Sequence, residues 1–264
     1  MRRRTQNQEV LAISEHELTV MTNDLDQMHH DIGMPAMNAA VAEWTEKIRT
    51  SRRGFLIGAG AVAGGALLAA CSSGSSSPTT TAAPKSAAAG GSSMSGKLTG
   101  DLAVAALAAS LENLAVAAYG DVLTAAGAGK LGTVPPAVAT FVTTAKGQHA
   151  QHAQAWNSAI VAAGHPAITG PDQTLVPVVD KAFAKVTNVT GAAELALTLE
   201  DIAAATYQSA VSAVKATSSI KVAASIQPVE MQHAAILNFV LGRYPVPNAF
   251  SPLVSARPLS DKIG

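Results

Sequence analysis

The stretch LENLAVAAY at residues 111–119 returns as LEDIAAATY at residues 199–207. In both copies a Leu-Glu pair is followed, seven residues after the glutamate, by a tyrosine. These residues are scarce, because the chain holds only four glutamates after Cys71, and Tyr119 and Tyr207 are two of its three tyrosines. Rare polar residues at matching positions indicate that a segment of the chain is duplicated.

A second pair of segments extends the duplication. HAQHAQAWN at residues 149–157 matches EMQHAAILN at residues 230–238. The register holds within each pair of segments, and only the loops between them differ in length. The sequence therefore predicts a duplicated pair of helices.

Apolar residues recur at helical spacing in four long segments. The segments are 98–126, 135–163, 191–217 and 220–241. Short links between the first and second segments, and between the third and fourth, predict antiparallel neighbours. The longer stretch 164–190, with a short helix at 178–186, is suited to cross the bundle. We therefore predict an all-α fold: an antiparallel four-helix bundle made of two helix hairpins joined by a long crossover.

An export signal is predicted ahead of this bundle. Residues 51–56 read SRRGFL, and the pair Arg52 and Arg53 before an apolar run is typical of a twin-arginine signal. The run covers residues 54–70, which is short for a membrane span, so a removed signal is favoured over a single anchoring helix.

Residues 68–71, where this run ends, resemble a lipobox. They read LAAC, and the last of them, Cys71, is the only cysteine of the chain, so no intramolecular disulfide can form. Lipidation explains a lone cysteine in an exported chain. We expect a protein that the twin-arginine machinery exports and that Cys71 anchors on the outer face of the cytoplasmic membrane.

Composition divides the chain into five parts. They are an N-terminal extension at 1–50, the signal and lipobox at 51–71, a Ser/Gly/Ala-rich linker at 72–97, the bundle at 98–242 and a tail at 243–264. The linker is typical of a flexible tether. The tail is rich in proline and is expected to pack across one end of the bundle.

We assign no chemistry to the N-terminal extension. It is predicted to contain a short helix around 41–49. His29, His30 and Asp31 lie together in a polar segment, and we interpret them as a solvated surface.

The balance of charge excludes one class of partner. The chain has eighteen basic and eighteen acidic residues, so its formal net charge is zero. The sequence has no cluster of basic residues that would indicate a nucleic-acid partner.

The duplicated helices place ligand-type residues at regular positions. Each first helix offers one glutamate, Glu112 or Glu200, and the last helix offers Glu230 and His233 at i, i+3 on one face. Taken singly, such a glutamate is typically solvent-facing and such a histidine is typically a satisfied core residue. Their repetition in register on apolar faces favours a metal site, since unpaired buried carboxylates are costly.

One Glu from each of two helices, with Glu-x-x-His on the others, is the pattern of di-metal carboxylate bundles. On these residues the chain resembles the ferritin-like family of di-iron proteins, which includes rubrerythrins and bacterioferritins, over residues 98–242. The resemblance implies a ferritin-like bundle that binds iron, as a di-iron pair in the family's manner, although manganese or zinc would also suit the ligands. It implies these candidate ligands: Glu112, His149, His152, Glu200, Glu230 and His233.

Tyr119 and Tyr207 lie about two helical turns from the glutamates, on the same stripe. Because they share the stripe, we predict that each reaches a ligand on a neighbouring helix through a hydrogen bond. The resemblance implies that a tyrosine at this offset lies near the metals. The alternative is a core tyrosine whose hydroxyl lies at the edge of the bundle.

His149 departs from the family pattern, which has a glutamate at this position. Imidazole can ligate iron, zinc, copper or manganese, but it cannot join two ions through two oxygens as a carboxylate does. Glu112, Glu200 and Glu230 supply three negative charges against the four positive charges of two divalent ions. The sequence therefore predicts either one bound metal or two that are bound asymmetrically.

Two functions remain open on the sequence. The first is a tethered ferroxidase-like or peroxidase-like oxidoreductase that acts on ferrous iron, peroxide or oxygen. The second is a non-catalytic envelope protein whose bundle serves structure, interaction or stress protection. A homodimer is compatible with either function, whereas a closed storage shell is not expected of a lipid-tethered chain.

Overall fold

A computed structural model describes residues 14–67, 97–248 and 252–259, with side chains described up to residue 51 in the first range. All regular elements in these ranges are helical. They are α1 Glu15–Met28, α2 Met34–Leu67, α3 Gly100–Gly127, α4 Pro136–Ala162, α5 Val176–Phe183, α6 Val189–Ala213 and α7 Thr217–Val240. A π-helical turn, His29–Gly33, joins α1 to α2, and a 3-10 turn, Leu253–Ser255, lies in the tail.

Four of these helices form the bundle. Helices α3 and α4 pack along each other as one hairpin, α6 and α7 form the other, and α3 meets α6 while α4 meets α7. The helices approach closely because fully buried alanines, among them Ala105, Ala109, Ala145 and Ala223, line their facing sides. The predicted all-α bundle of two hairpins and a long crossover is confirmed.

Polar caps set the ends of the second hairpin. The side chain of Asn188 accepts a hydrogen bond from the Gly191 amide at 2.8 Å, so α6 begins slightly before the predicted boundary. Asp101 of α3 accepts bonds from the amides of Lys215 and Ala216, at 2.9 and 2.8 Å. This carboxylate fixes the α6–α7 turn, and α7 therefore starts at Thr217 instead of 220.

Two separate elements cover the bundle on opposite sides. The crossover helix α5 lies on the side of α3 and α6, where Val179 packs with Leu114 and Ala118. Helices α1 and α2 lie on the side of α4 and α7. The core between the hairpins is therefore enclosed from both directions.

The N-terminal extension is more structured than its sequence predicted. A short helix at 41–49 was too small an estimate, because α2 already begins at Met34 and α1 precedes it. Leu18, Leu25, Met37 and Trp44 are at most 4% exposed, since they pack against the bundle. The stripe they form is interrupted at the π-helical turn, which weakens its helical period in the sequence.

The predicted export signal falls partly outside the described residues. The backbone at Arg52 and Arg53 is part of α2, whereas Cys71 and residues 72–96 lie outside the described ranges. Among the described helices, α3 is long and apolar enough to cross a membrane, but most of its apolar window is buried in the bundle. This helix is therefore the core helix of the domain.

The described part of the tail, 243–248 and 252–259, does not lie across an end of the bundle, so that expectation was wrong for these residues. The 3-10 turn packs against α6, and the Arg257 amide donates to Thr206 Oγ1, in the C-terminal half of that helix, at 2.9 Å. The Arg257 guanidinium also reaches the carboxylate of Asp172 at 3.2 Å and Thr174 Oγ1 at 2.6 Å in the crossover. These polar partners hold the tail along the flank of α6.

Candidate metal centre

Six ligand-type side chains meet in the middle of the bundle. Helix α3 contributes Glu112, α4 contributes His149 and His152, α6 contributes Glu200, and α7 contributes Glu230 and His233. Each of the six is at most 2% exposed. The i, i+3 spacing on α4 and α7 projects both residues of each pair from one helix face. The structure thus places all six sequence-predicted candidates in one buried cluster.

The first half of the cluster is built around His152. Its Nδ1 lies 2.9 Å from Glu230 Oε1 and 3.6 Å from Glu112 Oε2. Together with His149, these residues form a group of four whose ligand atoms all lie within 4.8 Å of one another.

The second half is built around His233. Its Nδ1 lies 3.3 Å from Glu200 Oε2 and 3.7 Å from Glu230 Oε2. With His149 these residues form a second group of four, again with ligand atoms within 4.8 Å of one another. Glu230 and His149 belong to both groups, so the cluster offers two adjoining positions that share two residues.

His149 lies between the glutamates of the two hairpins. Its Nδ1 is 2.8 Å from Glu112 Oε2, and its Nε2 is 3.1 Å from Glu200 Oε1. Burial lowers the pKa of His149, but the negative charges of Glu230 and Glu200 and the hydrogen bonds raise it by more, to well above its ordinary value. The ring is therefore protonated, and both of its N–H groups donate to carboxylates.

The pKa values of His152, His233 and Glu112 are set by the same balance between burial and nearby opposite charges. Burial opposes the charged form of His152, but Glu112 and Glu230 raise the pKa of this imidazole to about 9. Burial raises the pKa of Glu112, whereas His152 and His149 lower it by more, to about 2. The pKa of His233 is likewise raised, because Glu200 and Glu230 outweigh its burial. Carboxylates and imidazolium ions thus compensate one another in the absence of metal.

The two tyrosines brace the cluster reciprocally. Tyr119 of α3 donates to Glu200 Oε1 of α6 at 2.5 Å, and Tyr207 of α6 donates to Glu112 Oε1 of α3. Each hydroxyl therefore fixes the glutamate of the opposite hairpin. Burial, together with the nearby carboxylates, raises the pKa of both tyrosines, so both are neutral donors.

A family model for the ferritin-like domain matches residues 100–243, more than half of the chain. The chain belongs to the ferritin-like domain family. Comparison with curated proteins and with solved structures gave no match. The matched range contains α3 to α7, and therefore every residue of the buried cluster, but neither α1 nor α2.

The ferritin-like cluster passes a test for a cation site. Both carboxylate oxygens of Glu230 and both ring nitrogens of His152 are buried and have no hydrogen-bond partner among the described residues. The 2.9 Å approach between these two side chains is not aligned as a hydrogen bond. Buried polar atoms are normally satisfied, and a metal ion bound by the Glu230 oxygens and by His152 Nδ1, which faces them, would satisfy three of these four atoms. The buried His/Glu cluster is therefore compatible with metal binding.

Gln148 supports the cluster and was not predicted from the sequence. Its Oε1 accepts a bond from His233 Nε2 at 2.8 Å, which leaves Nδ1 of that ring facing Glu200 and Glu230. Such a bond fixes the orientation of a ligating imidazole. The duplication offered one signal, because residue 148 is a polar glutamine whereas the matching residue of the second copy is Val229.

His29 corrects the interpretation of the N-terminal polar segment as a solvated surface. Its ring is 3% exposed, donates from Nε2 to Gln151 Oε1 at 2.8 Å, and meets His152 edge-on with 5.3 Å between ring centroids. His30 and Asp31 are exposed, as expected. The signal for His29 was its position four residues after the buried Leu25 on the same helical stripe.

The described residues leave a small gap beside the cluster on the side of α3 and α6. Glu112, His149 and Glu200 line a crevice of about 20 Å³ there, together with leucines of α3, α6 and the crossover. This volume holds about one water molecule. The centre is thus nearly dry, so the charges within it interact strongly.

Proposed function

We propose that this protein is an extracytoplasmic ferritin-like metal protein that binds iron and oxidises ferrous iron or reacts with peroxide or oxygen. The observation that carries this proposal is the pair of overlapping four-residue groups, which share Glu230, a buried carboxylate with no hydrogen-bond partner among the described residues. Mixed carboxylate and imidazole ligands suit iron, and they also suit manganese and zinc.

Each residue of the centre has a definable part in this function. Glu112 and His152 would hold a metal in the first group, Glu200 and His233 would hold one in the second, and Glu230 would serve both. Iron, when bound, supplies one-electron redox chemistry. The tyrosines keep the carboxylates oriented, and the apolar walls exclude water, so little reorganisation is needed when charge changes in the centre.

Each position offers two glutamates and two histidines, but Glu230 and His149 belong to both, so two bound ions would share only three carboxylates. We therefore propose that one ion binds tightly and that a second binds more weakly. The two positions differ in the residues around them, since only the His233 side is oriented by Gln148.

Metal content tests the proposal directly. Full-length protein purified without chelators should contain iron, manganese or zinc, and Glu230→Gln should lower the affinity by at least about 100-fold, because a charged ligand common to both groups is lost. Glu194→Gln is the matched control, since Glu194 lies on α6 with an exposed side chain, paired with Arg243. Absence of metal from the wild type after anaerobic ferrous titration would refute the proposal.

A second function is favoured by one specific observation. His149 already makes hydrogen bonds with both Glu112 and Glu200, as a structural core without metal would require. In this alternative the bundle is a non-catalytic envelope module. A wild type that binds no metal would support this alternative, as would one that binds metal but does not accelerate the oxidation of ferrous iron or the loss of peroxide.

We propose the location of the protein on separate grounds, namely the SRRGFL and LAAC motifs. Replacing Arg52 and Arg53 by lysine should retain the protein in the cytoplasm, because the twin-arginine machinery reads that pair. Cys71→Ala should leave the exported protein unlipidated. Wild-type protein in the soluble cytoplasmic fraction would contradict both expectations.

A further inference from the structure

The two elements that cover the metal centre differ in their relation to the domain. Helix α5, on the α3–α6 side, lies inside the range that matches the ferritin-like family. Helices α1 and α2, on the α4–α7 side, lie outside that range and ahead of the predicted lipidation site. We call residues 14–51 the cap.

An apolar seam holds the cap to the bundle. Leu18 and Leu25 of α1 are fully or almost fully buried in the cluster that contains Phe141 of α4 and Val229 of α7. In α2, Trp44 meets Trp156 of α4 edge-on, with 6.0 Å between ring centroids. Removal of the cap would uncover these apolar residues of α4 and α7.

The seam is linked to one carboxylate of the centre. Trp156 Nε1 donates to the hydroxyl of Tyr207 at 2.8 Å, and that hydroxyl donates to Glu112. Trp44 therefore packs directly on a side chain that is two hydrogen bonds away from a candidate ligand.

Polar contacts of the cap reach two further candidate ligands. Asp26 Oδ1 accepts a bond from Gln148 Nε2 at 3.3 Å, and the same amide group receives the N–H of His233. His29 binds Gln151 and packs its ring against His152. The π-helical turn His29–Gly33 thus lies above the centre, and such turns are frequent at functional sites.

We propose that the cap closes the metal centre on the α4–α7 side in the full-length chain and leaves it when the chain is cut ahead of Cys71. This inference rests on the proposed export and processing. Such a cut breaks the covalent connection between α2 and the bundle, so that only the seam and the polar contacts hold the cap in place. The α4–α7 side of the centre is closed while the precursor is folded, and ions and small oxidants reach the centre from that side in the processed protein.

The seam can be weakened in the intact chain. Trp44→Ala and Leu25→Ala should each speed amide hydrogen exchange in residues 148–156 of metal-free protein by on the order of tenfold or more. A tenfold change corresponds to about 1.4 kcal/mol, and truncation of a large buried side chain typically costs more free energy than this. The same variants should release bound cobalt or zinc to a chelator faster by a similar factor. Ile32→Ala is the matched control, since Ile32 is an exposed residue of the cap.

Separation of the cap provides the second arm of the experiment. A protease site inserted in the linker between residues 72 and 96 allows the folded full-length protein to be cut, and size exclusion in detergent then shows whether the cap stays bound. We expect the cap to separate and the remaining bundle to exchange amides and release metal as fast as the seam variants do. This arm decides the question even where a seam variant does not fold.

The results distinguish failure of this inference from failure of the proposed function. If no form binds metal, the metal function is wrong, and hydrogen exchange of residues 148–156 alone decides whether the cap closes the centre. A cap that remains bound after the cut overturns the inference, as does hydrogen exchange that is equally slow with and without the cap.

Discussion

The two hairpins of the bundle present equivalent residues to the centre at every candidate position but one. The equivalent pairs are Glu112 with Glu200, Tyr119 with Tyr207, and His152 with His233. Where α7 places Glu230, however, α4 places His149. One substitution in a duplicated pattern thus separates the halves.

This difference changes the charge of the metal-free centre more than its shape. Glu230 is a buried carboxylate without a hydrogen-bond partner among the described residues, whereas His149 donates to Glu112 and Glu200 at once. A fourth carboxylate at residue 149 would leave the empty centre with a large uncompensated charge. The comparison teaches that His149 stabilises the metal-free bundle at the expense of one carboxylate ligand.

A substitution that makes residue 149 equivalent to Glu230 should have the largest effect on stability and metal binding. His149→Glu replaces a buried cation by a buried anion, so the free energy of unfolding of the metal-free protein should fall by about 3–5 kcal/mol or more. Bound ferrous iron should restore that stability, and the stoichiometry should rise towards two ions per chain with faster oxidation by oxygen. Urea unfolding with and without metal, and anaerobic iron titration, measure these effects.

His165→Glu is the control for that substitution, because His165 lies just past the end of α4 and outside the cluster. It should change neither metal stoichiometry nor metal-free stability by more than about 0.5 kcal/mol. If His149→Glu instead lowers iron binding, the wild type holds its metal through His149, and the second position is not a latent iron site.

The reciprocal tyrosines allow a finer comparison of the halves. The hydroxyl of Tyr207 donates to Glu112 and accepts from the indole N–H of Trp156. Among the described residues, the hydroxyl of Tyr119 has a hydrogen bond with Glu200 only. Tyr207→Phe should therefore cost about 2–4 kcal/mol of metal-free stability, and Tyr119→Phe about 1–2 kcal/mol, since each unsatisfied buried group carries its own penalty.

Urea unfolding of the metal-free variants measures this difference. Tyr244→Phe is the matched control, because the third tyrosine is 75% exposed and should lose almost nothing. Equal losses at Tyr119 and Tyr207 would show that the bond from Trp156 contributes nothing to the bracing.

The fold was predictable because its signals are local. Helical spacing of apolar residues and the echo between residues 111–119 and 199–207 fixed four helices and their pairing. The packing of α1 and α2 was not predictable, because it depends on contacts such as Trp44 with Trp156 that join distant parts of the chain. The tail was misplaced for the same reason, since Arg257 finds its partners in the crossover.

The candidate site was predictable in its membership but not in its geometry. Scarce glutamates and histidines on apolar stripes identified the six side chains that the structure brings together. Helical spacing does not determine which carboxylate each tyrosine binds, or that both nitrogens of His149 face glutamates. Gln148 and His29 were not predicted, because each contacts a residue of another helix across an interface that the sequence does not reveal.

Proton release provides the smallest effect when it is counted for one proton over one pH unit, and it bears on both halves. Glu112 and Glu230 raise the pKa of His152 in the first half to about 9, and Glu200 and Glu230 raise the pKa of His233 in the second half. An imidazole with a raised pKa stabilises the metal-free fold below its unfolded pKa, and this stability is lost as the pH rises through the folded pKa. The metal-free protein should therefore become less stable between about pH 6.5 and 9.

Metal binding should follow the opposite trend, because an imidazole must lose its proton before it can ligate a metal. The stabilisation by zinc should grow over the same pH range by up to about 1.4 kcal/mol per pH unit for each proton displaced. Thermal unfolding at several pH values, with and without zinc, measures both trends in one series. His30→Gln, at an exposed residue outside the cluster, should preserve both trends, whereas His152→Gln should weaken them. A zinc effect independent of pH would mean that the metal does not displace protons from these imidazoles and therefore binds elsewhere.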